Sequence, residues 1–310
     1  MTGSSSERHM RDRDKVEIFA ELWGAGGRGY DEERERGVAQ RRFGAVIPHV
    51  HKLIEEMGES EGRKLRVLDF GCSDGQTASH ILHGLEAKVA YYGSDLYLPD
   101  AALNRMFQQG FQVEVSGDSV EGIPRDWPTF DLVLALSCFQ YISDPAEAFS
   151  ALVSKLDAGG VVVAYFYDSS PMRQCTDTFL RERFGPKSIE DSDIGALSNS
   201  LEPLVELVEA LRQAAASATI TIRSAVPELG ISAGTMPLQQ FIVDYLIFAW
   251  APQGASTERI KWALSEMFLT GDQFYLGTSD VDRMLRANAL ETIDVVSNPS
   301  GHLVVARKIG

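Results

Sequence analysis

The sequence predicts a doubly wound α/β fold on a mostly parallel, seven-stranded sheet, closed by an antiparallel hairpin and carrying a mostly helical insertion. Three observations predict it. Apolar runs of strand length alternate with amphipathic helical stretches from Arg66 to Tyr167, the pitch of parallel strands joined by right-handed helical crossovers. The chain ends with a short helix and two alternating runs, Glu291 to Val296 and His302 to Arg307, joined by Asn298-Pro299-Ser300-Gly301, a turn that suits a hairpin. Between the two parts lie over a hundred residues, too many for a structureless loop in a compact fold.

Taken in order, Met1 to Asp14 is Ser-rich and charged, lacks the apolar stretch of a secretion signal, and reads as a disordered tail. Val16, Phe19, Leu22 and Trp23 recur at helical spacing before a glycine break at Gly24 to Gly27. Phe43, Val46, Ile47, Val50, Leu53, Ile54 and Met57 share one helical face, with Pro48 either kinking or starting that helix. Strands are expected at Arg66 to Phe70, Lys88 to Gly93, around Phe111, Val113 and Val115, at Asp131 to Leu136 and at Val161 to Tyr167. Helices are expected at Thr77 to Leu85, at Pro99 to Gln109 with Gly110 as its stop, and after Asp144-Pro145. The last of these carries Phe149, Leu152, Val153 and Leu156 and stops at Gly159-Gly160. Ser279-Asp280 is expected to cap the closing helix. The organisation that follows is a core of residues 15–167 and 279–310 and a helical cap over 168–278. Leu201 to Ala218, Met236 to Trp250 and Ser256 to Thr270 are the helix candidates of that cap, which could equally serve a homodimer.

A net charge of −15 argues against a nucleic-acid partner, whose phosphates need a Lys/Arg surplus. The most apolar run, Phe241 to Ala251, is interrupted by Asp244 and too short to span a bilayer. Cys72, Cys138 and Cys175 are odd in number and lack C-x-x-C spacing, so they read as reduced thiols of a cytoplasmic protein. His49 and His51 diverge on a helix, and His80 and His83 have no third ligand, so no metal is expected.

The chemistry concentrates where parallel strands end, since ligands of open sheets bind beyond their carboxyl ends. The first strand runs into Asp69-Phe70-Gly71-Cys72-Ser73-Asp74-Gly75-Gln76. Gly71 and Gly75 let the backbone turn tightly and approach a ligand closely. Counted from Gly71, a dinucleotide fingerprint would need Gly at 73 and 76, which hold Ser73 and Gln76. Asp69 and Asp74 would repel a pyrophosphate but suit an ammonium or sulfonium group. The second strand ends in Asp95, an acceptor-only side chain able to take both hydroxyls of a ribose, and the third ends in Ser116-Gly117-Asp118-Ser119.

The run VLDFGCSDG resembles the glycine-rich first motif of class I S-adenosylmethionine-dependent methyltransferases, with Ser73 where that family more often has Gly. GSD ending at Asp95, GDS at Gly117 to Ser119 and FDLVLALSCFQYISDP at Phe130 to Pro145 resemble its later motifs in order and spacing. The resemblance covers residues 60–167 and 279–310 and implies a Rossmann-like fold with S-adenosylmethionine as cofactor. It implies that Asp69 and Gly71 shape the methionine pocket, with Cys72, Ser73 and Gly75 in the same loop. Asp95, with Leu96 beside it, would hold the ribose, and Asp118 and Ser119 would flank the adenine. Ser137 and Gln140 would lie near the methyl group. Gln140 and Tyr141 are the candidates for a catalytic or orienting role. No His lies at an evident strand tip, so no base is named.

Leu136-Ser137-Cys138-Phe139 lacks the Asn/Asp-Pro-Pro-aromatic signature of enzymes that methylate base or glutamine amines. Cys72 and Cys138 read as small core residues rather than nucleophiles. Phe19, Trp23 and Tyr30 could form a lid or pack on the core. The expected activity is methylation of a small metabolite, at O, N or C, in biosynthesis. Two rivals remain open: another reaction on the same scaffold, such as a cyclisation, decarboxylation or rearrangement, and a non-catalytic cofactor-binding subunit.

Overall fold

The computed structural model describes residues 43–73, 75–96, 107–108, 110–116, 123–136, 138–142, 144–184, 201–246, 257, 260–261, 263–265, 275–298 and 301–310. The stretches read above as tail and first helix (1–23), the lid residues Phe19, Trp23 and Tyr30, most of the helix at 99–109, the acidic residue Asp74 and the hairpin residues Pro299 and Ser300 lie outside them. The chain divides into two units, one holding the described residues of Ser169–Asp272, the other those of Asp31–Asp168 and Gln273–Gly310.

Nine strands are described: β1 (Leu65–Phe70), β2 (Val89–Ser94), β3 (Gln112–Ser116), β4 (Phe130–Leu136), β5 (Leu156–Tyr167), β6 (Thr219–Ile222), β7 (Gly234–Pro237), β8 (Leu290–Asn298) and β9 (Gly301–Lys308). Seven of them make one sheet in the order β3-β2-β1-β4-β5-β9-β8. β1 to β5 are mutually parallel, and β9 runs antiparallel to both β5 and β8. Order reverses at β1, whose neighbours are β2 and β4, and that reversal sets the crevice. Central strands are buried on both faces, which is why Val67, Leu68, Val133, Leu134, Val162 and Val163 form continuous apolar runs rather than alternating ones.

Helix α1 (Ile47–Glu61) begins at its proline: Pro48 occupies the first turn, where its missing N–H costs nothing. His51 and His49 on α1 bond different partners, the Ile81 carbonyl and Asp294. Helix α2 (Gln76–Ile81) is shorter than its apolar pattern suggests, with Leu82 and Leu85 buried in the turns after it. Helix α3 (Pro145–Ser154) starts as expected, the Asp144 carboxylate accepting the Glu147 N–H.

Two boundaries differ from the sequence reading. Leu156 belongs to β5, paired with Phe130, and the register shifts before Leu132 pairs with Val161. Gly159, at φ +77°, bends the chain inside the strand instead of separating helix from strand. The closing helix, Thr278–Ala287, is capped by extended Gly277, whose carbonyl accepts the Asp280 N–H; Ser279 and Asp280 lie within its first turn.

The other unit holds α4 (Pro171–Phe184), α5 (Glu202–Ala215), the β6–β7 pair and α6 (Leu238–Tyr245). The closing helix is therefore α7. A mostly helical insertion was expected, but not its hairpin. Met236 sits in β7, and α6 starts only after Pro237, whose φ and ψ of −55° and 136° are extended. Residues 247–250 of the expected Met236 to Trp250 helix lie outside the described residues. Arg173 is fully buried in this unit, its Nε 3.5 Å from Asp177 Oδ2 one turn on. Gln240 donates to Asp244, whose carboxyl burial pushes upward while Gln240 and the Arg173 charge pull it back. Among the described residues, no helix is long and apolar enough to cross a membrane.

Candidate functional site

The turn after β1 is held by backbone bonds to the neighbouring strand, Gly71 and Cys72 both donating to the Ser94 carbonyl at 2.8 and 3.2 Å. Gly71 has φ +73°, and a Cβ there would fall 2.5 Å from Cys138 Cβ, so only glycine fits. Gly75, at φ +74°, caps α2 and donates to the Cys72 carbonyl. Ser73 is also left-handed, at φ +47°. That conformation costs a residue with a Cβ about 1 kcal/mol, which accounts for glycine being usual here in the family that the loop resembles.

Asp95 closes the turn. Its Oδ2 accepts the Ser73 N–H at 2.7 Å, which draws the tip of β2 onto the loop. Its own N–H bonds the Ser116 carbonyl, tying it to β3. Asp69 is buried one residue before the end of β1 and accepts the Tyr91 hydroxyl at 2.7 Å. Tyr91 was not anticipated from the sequence. It lies two residues before Gly93 on one face of β2, and Gly93 makes room for it: a Cβ there would meet Cys72 Sγ at 2.9 Å and the Tyr91 ring at 3.1 Å. Burial, then the charges of Asp69 and Cys72, push the Tyr91 hydroxyl far up, so it stays a donor.

Past β4, Cys138 precedes a 3-10 turn, Phe139–Tyr141, and lies against Gly71. The thiols of Cys72 and Cys138 are both raised well above their usual range, first by burial and then by the carboxylates of Asp69 and Asp95. These are inert thiols in a negative field. The backbone bonds of Gly71 and Cys72 to Ser94, with Cys138 packed at Gly71, bring the tips of β1, β2 and β4 together.

The sequence profile of the methyltransferase-domain family matches residues 33–191, just over half of the chain. The chain belongs to that family. It is a class I S-adenosylmethionine-dependent methyltransferase. Among solved structures, the methyltransferase is similar to the 1,6-didemethyltoxoflavin-N1-methyltransferase of Burkholderia thailandensis, with 12% identity over 100% of this chain and 92% of that one, at a TM-score of 0.51. It is also similar to the magnesium protoporphyrin IX methyltransferase of Synechocystis, with 11% identity over 99% of each chain, at a TM-score of 0.45. The first likeness concerns the fold. No curated protein matches the sequence.

The methyltransferase offers its cofactor a fitting donor set. Carboxylates at Asp69 and Asp95 suit an ammonium, a sulfonium and a ribose diol, and the backbone at Gly71 and Gly93 has no Cβ to obstruct approach. Of the residues expected at the site, Asp69, Gly71, Cys72, Ser73, Gly75 and Asp95 gather around this turn, and Leu96 follows in a bend. Gln140 is buried and Tyr141 half-buried in the 3-10 turn. Asp118, Ser119 and Ser137 lie outside the described residues.

Proposed function

We propose that this methyltransferase acts on a small metabolite in the cytoplasm, using the turn after β1 to hold its cofactor. The observation that carries the reading is the meeting of Asp69 and Asp95 at the Gly71 turn: Asp69 pairs with Gly93 at the tip of β2, Gly71 and Cys72 bond the Ser94 carbonyl, and Asp95 accepts the Ser73 N–H. Asp95 spends one oxygen on the Ser73 N–H. A carboxylate accepts several hydrogen bonds, so bonding the Ser73 N–H and taking ribose hydroxyls are compatible roles for one side chain. Asp69, aligned by Tyr91, holds the negative end of the field toward the cofactor's amino-acid and sulfonium groups. By the family resemblance, Asp118 and Ser119 would flank the adenine, Ser137 and Gln140 would lie near the methyl group, and Tyr141 would orient the substrate.

When bound, the cofactor supplies an electrophilic methyl on a sulfonium. The chain's own contribution is to orient the acceptor and exclude water. An acidic chain with a net charge of −15 favours neutral or cationic metabolites over nucleic acid. The 1,6-didemethyltoxoflavin bound to the Burkholderia thailandensis enzyme is consistent with an acceptor of metabolite size.

The test is twofold. Calorimetry with S-adenosylhomocysteine should give a saturable one-to-one isotherm. Methyl-labelled cofactor, incubated with separate RNA, protein and low-molecular-weight fractions of the source cells, should label the last. Label entering RNA or protein instead would sink the reading.

A further inference from the structure

One group of polar residues on the same sheet edge plays no part in the cofactor cradle. β9 is antiparallel to β5, so its first residues lie beside the last ones of β5: Gly301 pairs with Tyr167 and His302 with Phe166. Directly paired residues share a face, so His302 lies on the side of Phe166, among Val304 and Ala306 of the core. Its side chain is only 5% exposed, yet both ring nitrogens are satisfied. Nδ1 lies 2.8 Å from Ser297 Oγ on β8, and Nε2 lies 3.1 Å from Asp168 Oδ2. With the carboxylate as acceptor, Nε2 carries a hydrogen and donates it, and in that tautomer Nδ1 is placed to accept from the Ser297 hydroxyl. Asp168 itself keeps 30% of its side chain exposed.

A packed path joins this group to the cradle. Cys138 lies against Gly71, and the adjacent Phe139 stacks on Phe166 at 4.9 Å between ring centres. Phe166 is the cross-strand partner of His302. β5 also outruns β4: Leu136, the last residue of β4, pairs with Tyr165, so Asp168 stands three residues beyond the level where β4 ends. Asp168 thus stands two residues past Phe166, the β5 residue on which Phe139 of the 3-10 turn packs, on the edge of the sheet that carries the turn.

We propose that Asp168, aligned by His302, binds the O–H or N–H of the methyl acceptor and takes its proton as the methyl moves. The inference rests on the small-molecule reading above and deepens it to a substrate class. In the step, the acceptor's lone pair forms the new bond to the methyl carbon, and the S–C bonding pair withdraws onto sulfur. The acceptor's proton passes to an Asp168 oxygen. One cation and one anion are consumed together, so no isolated charge is left in a dry pocket. The proton then leaves to water from the exposed side of Asp168. His302 is a positioning residue: its N–H holds one carboxylate oxygen, and Ser297 sets its tautomer. The acceptor is thus a hydroxyl or a neutral amine that carries a hydrogen. A carboxylate acceptor, which has no such hydrogen at neutral pH and would be repelled by Asp168, does not fit.

The experiment compares wild type with Asp168→Asn, His302→Ala and His302→Gln. The readouts are label transfer from methyl-labelled S-adenosylmethionine to the low-molecular-weight extract, S-adenosylhomocysteine affinity by calorimetry, melting temperature, and imidazole nitrogen NMR. Asp168→Asn should lose about 100-fold or more in transfer, the usual scale of a general base, with affinity and melting unchanged. His302→Gln retains a donor toward Asp168 and should keep more activity than His302→Ala. The wild-type spectrum should show a hydrogen on Nε2, and Asp168→Asn should shift that signal. Transfer by Asp168→Asn at the wild-type rate would overturn the proposal, as would a methyl ester as product. Equal loss in both His302 variants with lowered melting would show a structural tie only and also overturn it. Absence of S-adenosylhomocysteine binding by the wild type would instead remove the function on which the proposal rests.

Discussion

Two carboxylate groups stand on the same edge of the sheet and are built in opposite ways. At the β1–β2 end, Asp95 is held by a backbone N–H of a glycine turn only 22 residues earlier in the chain. At the β5–β9 end, Asp168 is held by an imidazole 134 residues later. The first is a local device, in which a strand tip folds onto its neighbour. The second exists only because an antiparallel strand returns to the carboxyl edge. The difference teaches how each is built: the cradle is tied by backbone hydrogen bonds, and the Asp168 pair by side chains brought together across strands.

The largest expected effect tests the backbone half of that comparison. Gly71→Ala must place a Cβ 2.5 Å from Cys138 Cβ at φ +73°. Left-handed strain and overpacking together should cost about 2–4 kcal/mol, read as a shifted denaturant midpoint. An unshifted midpoint would mean that the turn is not built as described. Next, Asp95→Ala removes a charged acceptor from both the Ser73 N–H and the ribose. S-adenosylhomocysteine affinity should fall about 100-fold, the worth of two charge-assisted hydrogen bonds. Unchanged affinity would break the proposed role of Asp95.

Asp131 sharpens the comparison from the opposite edge of the sheet, where no ligand is proposed. It is buried at the start of β4, taking both guanidinium nitrogens of Arg63 at 2.8 Å and the Arg66 N–H at 2.7 Å. Burial alone would raise its carboxyl, but these partners hold it below the usual range. Because the folded-state value is depressed, the stabilisation is present above the unfolded value of about 4 and is lost as pH falls through the folded value. Arg63→Ala should destabilise by about 1–2 kcal/mol at neutral pH, since Arg66 remains. In urea titrations the gap from wild type should shrink below pH 4 and S-adenosylhomocysteine affinity should not change. The smallest effect is a gain: Ser73→Gly relieves left-handed strain and should stabilise by about 0.5–1 kcal/mol, read as a raised melting temperature.

The β1 motif was legible because its chemistry is contiguous. Asp69, Gly71, Gly75 and Asp95 sit at predictable strand ends, and strand ends follow from apolar runs that must be buried on both faces. Tyr91 was missed for want of a local rule, although its two-residue spacing from Gly93 was a usable signal. The β6–β7 hairpin was missed because Thr219 to Ile222 is a short run that no turn signal flanks closely, and Met236 matches a helical period as well as a strand. Leu156 was assigned to a helix for the same reason: its hydrophobic spacing satisfies both readings until Phe130 pairs with it.

By itself, the sequence determined the parallel sheet, the closing antiparallel pair and the glycine loop proposed to receive the cofactor. Each of these depends on periodicity and on backbone needs that only particular residues meet. Tertiary structure alone decided that His302 meets Asp168, that Gly93 admits Tyr91 and that Cys138 seals Gly71. The reason is physical: side chains far apart in the chain meet only through strand order and register, and neither is written in any single stretch of residues.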